Sequence, residues 1–250
     1  MRATPATPAT TAMLELRQVS KTYGEEATLV QAVVDVDLVV GPGELVAVMG
    51  PSGSGKSTLL TIAGTLEEPT SGSVLIAGRD VAELTRNDRA RLRRRSIGYV
   101  FQSFNLLAGL TAVENVALPL ELDGTRAGAA QRLARAALER LGLGDRARHY
   151  PDQLSGGESQ RVAIARAIVG ERRLLLADEP TGALDSTNGE SVMRMLRAAC
   201  RDGIAGVVVT HDAQLASWAD RVVFMRDGRV VDRTPPRAGV ESLLGPGTRS

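Results

Sequence analysis

The chain has almost no cysteine: Cys200 stands alone among 250 residues, so an intrachain disulfide is excluded. Its place at the end of a helical pattern assigns it to packing rather than to thiol chemistry. Neither sign of charge is in excess. There are 30 basic and 29 acidic residues, a formal +1, which removes any general electrostatic case for binding nucleic acid. No apolar run reaches the ~18 residues of a membrane span. The start, Met1-Arg2-Ala3-Thr4-Pro5, lacks the apolar core of a signal peptide, so the expectation is a cytosolic chain. Lysine is nearly missing as well: only Lys21 and Lys56 occur, the other basic residues being arginine, which reads as a bias of the genome and makes Lys56 conspicuous. What is present is 43% apolar composition, ample for a buried core in one large α/β domain or two small ones.

The most informative stretch is Gly50-Pro51-Ser52-Gly53-Ser54-Gly55-Lys56-Ser57-Thr58. It fits G-x-x-x-x-G-K-[ST] between a strand-like run, Glu44 to Met49, and a helix-like one, Thr58 to Ala63. Glycines let the backbone curl so that several N–H groups converge on phosphate oxygens, and the helix that follows aims its positive end at the same place. Lys56 is expected to reach the β- and γ-phosphates, and the Ser57 hydroxyl to take one position on Mg²⁺. The alternative, an ordinary glycine-rich turn, does not account for the flanking strand and helix.

Residues 1–12 repeat Ala-Thr-Pro and read as a disordered tail. From Met13, extended segments run over Leu14 to Tyr23, Val30 to Val40 and Ser73 to Ala77, and predict an antiparallel layer beside the nucleotide. Asp88 to Arg95 is arginine-dense and reads as a solvated helix face feeding the buried strand Ile97 to Phe101. From Ser103 to Pro151 the pattern is helical, with a capping box at Thr111 to Glu114 and a break at Gly124. Ser155 and Glu158 have capping-box spacing too, which sets the N–H groups of Gly156 and Gly157 at a helix N-terminus, a ready anion site. Buried strands are expected at Leu174 to Ala177 and Gly206 to Thr210, with a helix from about Thr187 to Cys200 between them. A hairpin turns at Asp227-Gly228, and the residues from Thr234 on read as a loose tail.

Four of these strand-like runs end in polar residues: the glycine-rich loop, Gln102, Asp178-Glu179 and His211. In an α/β sheet the ligand lies beyond the carboxyl ends of the strands, so these groups are expected to converge on one nucleotide. Asp178 suits a Mg²⁺-holding role and Glu179 that of general base on the attacking water, worth roughly 10²–10⁴ in rate. His211 is expected to orient the γ-phosphate and the water; its competing reading is a histidine capping a strand end. His149 has no motif around it and receives no catalytic part.

With Leu154-Ser155-Gly156-Gly157-Glu158 lying between the two phosphate motifs, the chain resembles the ATP-binding subunit of an ABC transporter over about residues 13–231. The resemblance implies an α/β P-loop NTPase of the ABC ATPase type, with a mixed sheet core, an antiparallel β layer and a helical insert over about 103–168, in a domain of 13–233 followed by a flexible tail, 234–250. It implies that Tyr23 stacks on adenine, that Gln102 senses Mg²⁺ and the membrane partner, and that Ala183-Leu184-Asp185 contacts the nucleotide interface. Two copies would pair head to tail, so that each ATP lies between one chain's Gly50 to Thr58 and the other chain's Ser155, Gly156 and Gly157. A departure is Glu158, where many relatives carry glutamine; little consequence is expected provided its carboxylate turns away from the γ-phosphate. Phe101 to Leu107, Leu110 to Leu120 and Glu179 to Thr187 further resemble the lipoprotein-release and macrolide-export group, which implies an integral-membrane permease as partner and a peripheral location on the inner face of the membrane. A regulator that pulls on an extracytoplasmic activity through the same device stays open, and a soluble ABC ATPase acting on DNA or ribosomes is the remoter alternative.

Overall fold

Leu45–Met49 (β3) has no polar residue and is buried along its whole length, the mark of a strand covered on both faces. Leu174–Asp178 (β7) and Ala205–Val209 (β8) repeat the pattern, with only Asp178 less than fully buried. The computed structural model describes residues 12–24, 28–182 and 186–234. In it these strands form the centre of a six-stranded sheet, completed by Ile97–Val100 (β6), Arg221–Arg226 (β9) and Arg229–Arg233 (β10), in the order β10-β9-β3-β8-β7-β6. All pairs are parallel except the β9/β10 hairpin, so the sheet is mixed. Strand order reverses direction around β3, which places a crevice at the carboxyl ends.

A second sheet is wholly antiparallel: Leu14–Tyr23 (β1), Val30–Val40 (β2), Ser71–Ile76 (β4) and the two-residue Arg79–Asp80 (β5), in the order β2-β1-β4-β5. Alternation sorts the core. Val46 and Val48 of β3 face the second sheet and the helix Lys56–Ala63 (α1), in a layer with Leu14, Leu16, Val36, Leu38, Leu59 and Leu60. Leu45, Ala47 and Met49 face the other way, onto Ser186–Arg201 (α6) and Ala213–Ala216 (α7). Cys200 belongs to that second layer, fully buried, and burial pushes its thiol up to about 12, which makes it a packing group as expected.

Arg86–Ser96 (α2) has no buried residue, in keeping with a solvated face. Its arginines are tethered all the same: Arg93 donates to the Thr65 carbonyl at 2.9 Å, Arg89 pairs with Glu68, and Arg95 pairs with Asp123 at 2.7 Å. The helical insert contains Ala112–Leu122 (α3), Ala127–Arg140 (α4) and Gly156–Ile168 (α5), with its own apolar cluster around Val116, Leu138 and Val162. Both predicted capping boxes form, at Thr111/Glu114 and Ser155/Glu158. Helix does not begin at Ser103, however. Ser103 to Leu110 is a turn-rich segment pinned by Asn115, whose side chain is fully buried and bonds Leu107 and Leu110. Thr234 is not loose either: it closes onto Val222 through its amide at 2.9 Å and its hydroxyl. The rest of the two expected tails, 1–12 and 234–250, lies outside the described residues, apart from residue 12.

Candidate functional site

The loop after β3 is shaped by glycines at positive φ. Gly55 sits at φ +92°, and a Cβ there would stand 1.9 Å from the Ala32 carbonyl oxygen of β2. Gly53, at φ +77°, meets nothing within 4 Å and opens onto space. The loop is buttressed from beneath, where Gly228 of the β9/β10 turn donates to the Ser54 carbonyl at 3.2 Å. Helix α1 starts at Gly55 with no side-chain cap and no acidic residue in its first turn, so its positive end is uncompensated by the protein. Lys56 is 7% exposed and curls back over the loop, its Nζ donating to the carbonyls of Gly50 at 2.9 Å and Pro51 at 2.8 Å. That uses two of its three donors.

The other polar residues arrive from the carboxyl ends of neighbouring strands. Ser57 Oγ donates to Asp178 Oδ1 at 3.1 Å, joining the first turn of α1 to the end of β7. Burial raises the Asp178 carboxyl above its ordinary value, the Ser57 bond lowers it and the Glu179 charge raises it again. Glu179 follows at φ +44°, a backbone conformation that a non-glycine residue rarely adopts. Its N–H extends the ladder to the Val209 carbonyl at 3.0 Å and its carbonyl accepts from Gly182 at 3.0 Å, which holds the strained turn. Glu179 Oε2 lies 2.8 Å from His211 Nδ1. A carboxylate only accepts, so Nδ1 carries a proton and donates it, which leaves Nε2 as the ring nitrogen outside this bond.

These groups line one cavity of about 740 Å³, formed by Gly50 to Thr58, Gln102, Asp178, Glu179 and His211, with Val30, Gln31 and Ala32 of β2 on one side. The volume falls in the range of small-molecule sites. A glycine-rich loop, an uncapped helix end and a buried lysine suit a chain of phosphates, and Ser54 Oγ is a buried hydroxyl with no partner among the described residues. A serine hydroxyl touching a carboxylate supplies the hard oxygen donors that Mg²⁺ prefers. Val30, Gln31 and Ala32 were not among the residues expected from sequence.

Other expected residues lie elsewhere. Tyr23 does not line the cavity: its hydroxyl donates to Glu67 Oε2 at 2.6 Å, and Lys21 both pairs with Glu67 at 3.0 Å and lies 5.1 Å from the Tyr23 ring centre. Ser155, Gly156 and Gly157 are outside the cavity, at the start of α5. There Ser155 Oγ accepts from Glu158 N–H at 3.2 Å, while Gly156 and Gly157 begin the helix with N–H groups it cannot satisfy itself. The Glu158 carboxylate folds back to the Ser155 amide at 2.8 Å. His149 lies outside the cavity, and Asp185 lies outside the described residues.

Residues 33–182 match the protein-family profile described as ABC transporter. The lipoprotein-releasing system ATP-binding protein LolD of Shewanella denitrificans is 48% identical over 88% of this chain and 95% of its own length. The macrolide export ATP-binding/permease protein MacB 1/2 of Paracoccus denitrificans is 49% identical over 88% of this chain, which spans only 33% of that relative. Among solved structures, the dimeric structure of MJ0796, described as a bacterial ABC transporter cassette, matches with a TM-score of 0.83 at 42% identity, over 91% of this chain and 100% of that one. A further dimeric structure of the same cassette is a post-hydrolysis state bound to ADP and Pi.

Proposed function

Because this chain belongs to the ABC transporter family, we propose that it binds and hydrolyses ATP with Mg²⁺ as half of a head-to-tail pair that powers a membrane permease of the lipoprotein-release or macrolide-export kind. The observation that carries the reading is the convergence on one cavity of the glycine-rich loop, the Ser57/Asp178 contact and the Glu179/His211 pair. In this reading the loop amides and Lys56 bind the phosphates, and Ser57, Asp178 and Gln102 hold Mg²⁺. When bound, the ion offsets charge on the phosphate oxygens. Glu179 takes a proton from water as the water oxygen bonds to the γ-phosphorus and the bond to the ADP oxygen breaks. The Nδ1–H bond fixes the His211 ring so that its Nε2 edge is available to the reacting groups. Tyr23 contributes to binding the adenine. Ser155, Gly156, Gly157 and Asp185 serve the site of the partner copy, a reading supported by the first three lying outside the cavity of their own chain. Support for the pairing comes from the dimeric structures of the similar cassette MJ0796. The permease is inferred from the names of the LolD and MacB relatives.

The test is Glu179→Gln. Removal of the base is expected to lower the hydrolysis rate by roughly 10²–10⁴ while leaving ATP binding intact, so that the pair accumulates. Light scattering behind a sizing column, with ATP and Mg²⁺, reads the mass. A variant that stays monomeric overturns the paired arrangement, and one that hydrolyses ATP at the wild-type rate overturns the role of Glu179.

A further inference from the structure

The capping box of α5 carries a charge problem. A carboxylate at the third helical position suits the helix dipole, but it adds negative charge to the N-terminus that, in the reading above, must receive a γ-phosphate. Glutamine would satisfy the same box without the charge. In this chain both carboxylate oxygens of Glu158 are occupied: Oε2 accepts from the Ser155 amide at 2.8 Å, and Oε1 accepts from Arg146 Nε at 2.8 Å. The backbone that carries the guanidinium is held at both ends. Arg146 ends a short 3₁₀ turn, Gly144–Arg146, whose amide bonds the Leu143 carbonyl at 3.0 Å. The following residues are then tied to the start of α3, through Val113 N–H to Ala147 at 2.9 Å and Ala112 N–H to His149 at 2.8 Å. The Glu158 side chain is 19% exposed and that of Arg146 47%, so the pair sits at the surface and acts on local charge more than on the stability of the fold.

We propose that Arg146 is a positioning residue for the signature helix: it neutralises Glu158 and holds its carboxylate aside, so that Ser155, Gly156 and Gly157 can accept the phosphate of the ATP bound by a second copy of this chain. This rests on the paired arrangement proposed above. The Ser155 amide first, then Arg146 and the Ser155 hydroxyl, bring the Glu158 carboxyl down to about 2, which keeps it in the charged form that Arg146 faces.

The experiment uses the Glu179→Gln chain as reference and measures the ATP concentration, with Mg²⁺, at which half the protein is dimeric. Adding Arg146→Ala is expected to raise that concentration about two- to fivefold, and Arg146→Gln, uncharged and closer in size, to do the same. Adding Glu158→Gln to either is expected to restore the reference value, because the box is kept and the uncompensated charge is gone. Thermal melting separates this from scaffolding: the ion pair is absent from Arg146→Ala and from Arg146→Ala/Glu158→Gln, so both melt at a similar temperature while only the first dimerises poorly. Dimerisation unchanged by either arginine variant, or not restored by Glu158→Gln, overturns the proposal alone. A reference chain that remains monomeric in ATP overturns the paired arrangement and this inference with it.

Discussion

At Gly55 the backbone turns through φ +92°, and the space a side chain would need is filled by the Ala32 carbonyl. Gly55→Ala therefore has to displace the loop from β2, a strain of about 1–3 kcal/mol. Because β2 is held in its sheet by the full length of β1, the loop is the part that yields. ATP binding measured by calorimetry is expected to weaken roughly five- to a hundredfold, whereas the melting temperature moves little. A binding constant within twofold of wild type would mean that the loop geometry is not what recognises phosphate. The same reasoning explains the strained Glu179: its positive φ is maintained by hydrogen bonds on both sides, from Val209 and Gly182, and it turns the carboxylate toward His211.

Helix α5 is where packing and signature meet. Gly98 of β6 lies so close to it that a Cβ would stand 1.9 Å from the Ala167 carbonyl, and Gly157 at its start faces Asn188 of α6. Between them Gln160 is 0% exposed, and neither end of its amide has a partner among the described residues. An unsatisfied buried amide costs about 1–3 kcal/mol, and methionine fills nearly the same volume without it. Gln160→Met is thus expected to raise the melting temperature by a few degrees, read by calorimetry; a fall would show that the amide stabilises the fold. Much at this scale was legible in the sequence because it is local. Capping boxes at Thr111/Glu114 and Ser155/Glu158, the apolar strands β3, β7 and β8, and the polar residues that end them are all set by neighbours in the chain. What could not be read is what distant segments bring together. Val30 and Ala32 enter the cavity only because β2 folds over the loop, Gly228 supports Ser54 from some 170 positions away, and Glu67 holds the Tyr23 hydroxyl across 44 residues. None of these carries a motif, since nothing in the local pattern distinguishes them from ordinary strand or turn residues.

For the molecule as a whole, the decisive feature is that the start of α5 does not line the cavity of about 740 Å³ that the glycine-rich loop forms. No helix among the described residues is long and apolar enough to cross a membrane. If two copies pair by a twofold axis, each residue of one surface meets the same counterpart twice, and each site is built from both chains. Two different defects can then compensate. Lys56→Ala removes the principal cation from the loop and keeps the signature, while Ser155→Asp keeps the helix cap, aspartate being a good one, and sets a negative charge where the phosphate must come. Each variant alone has two damaged sites and is expected to be nearly inactive. A mixed pair concentrates both defects in one site and leaves the other with an intact loop and an intact signature. With random pairing, half the dimers are mixed and one site in two of these is whole, so about a quarter of the wild-type sites reappear. Steady-state ATPase assays on the variants separately and at equal mixture measure this directly. Activity above the sum of the separate variants is the expected result; strict additivity would mean that each chain completes its own site, and the paired arrangement would have to be given up.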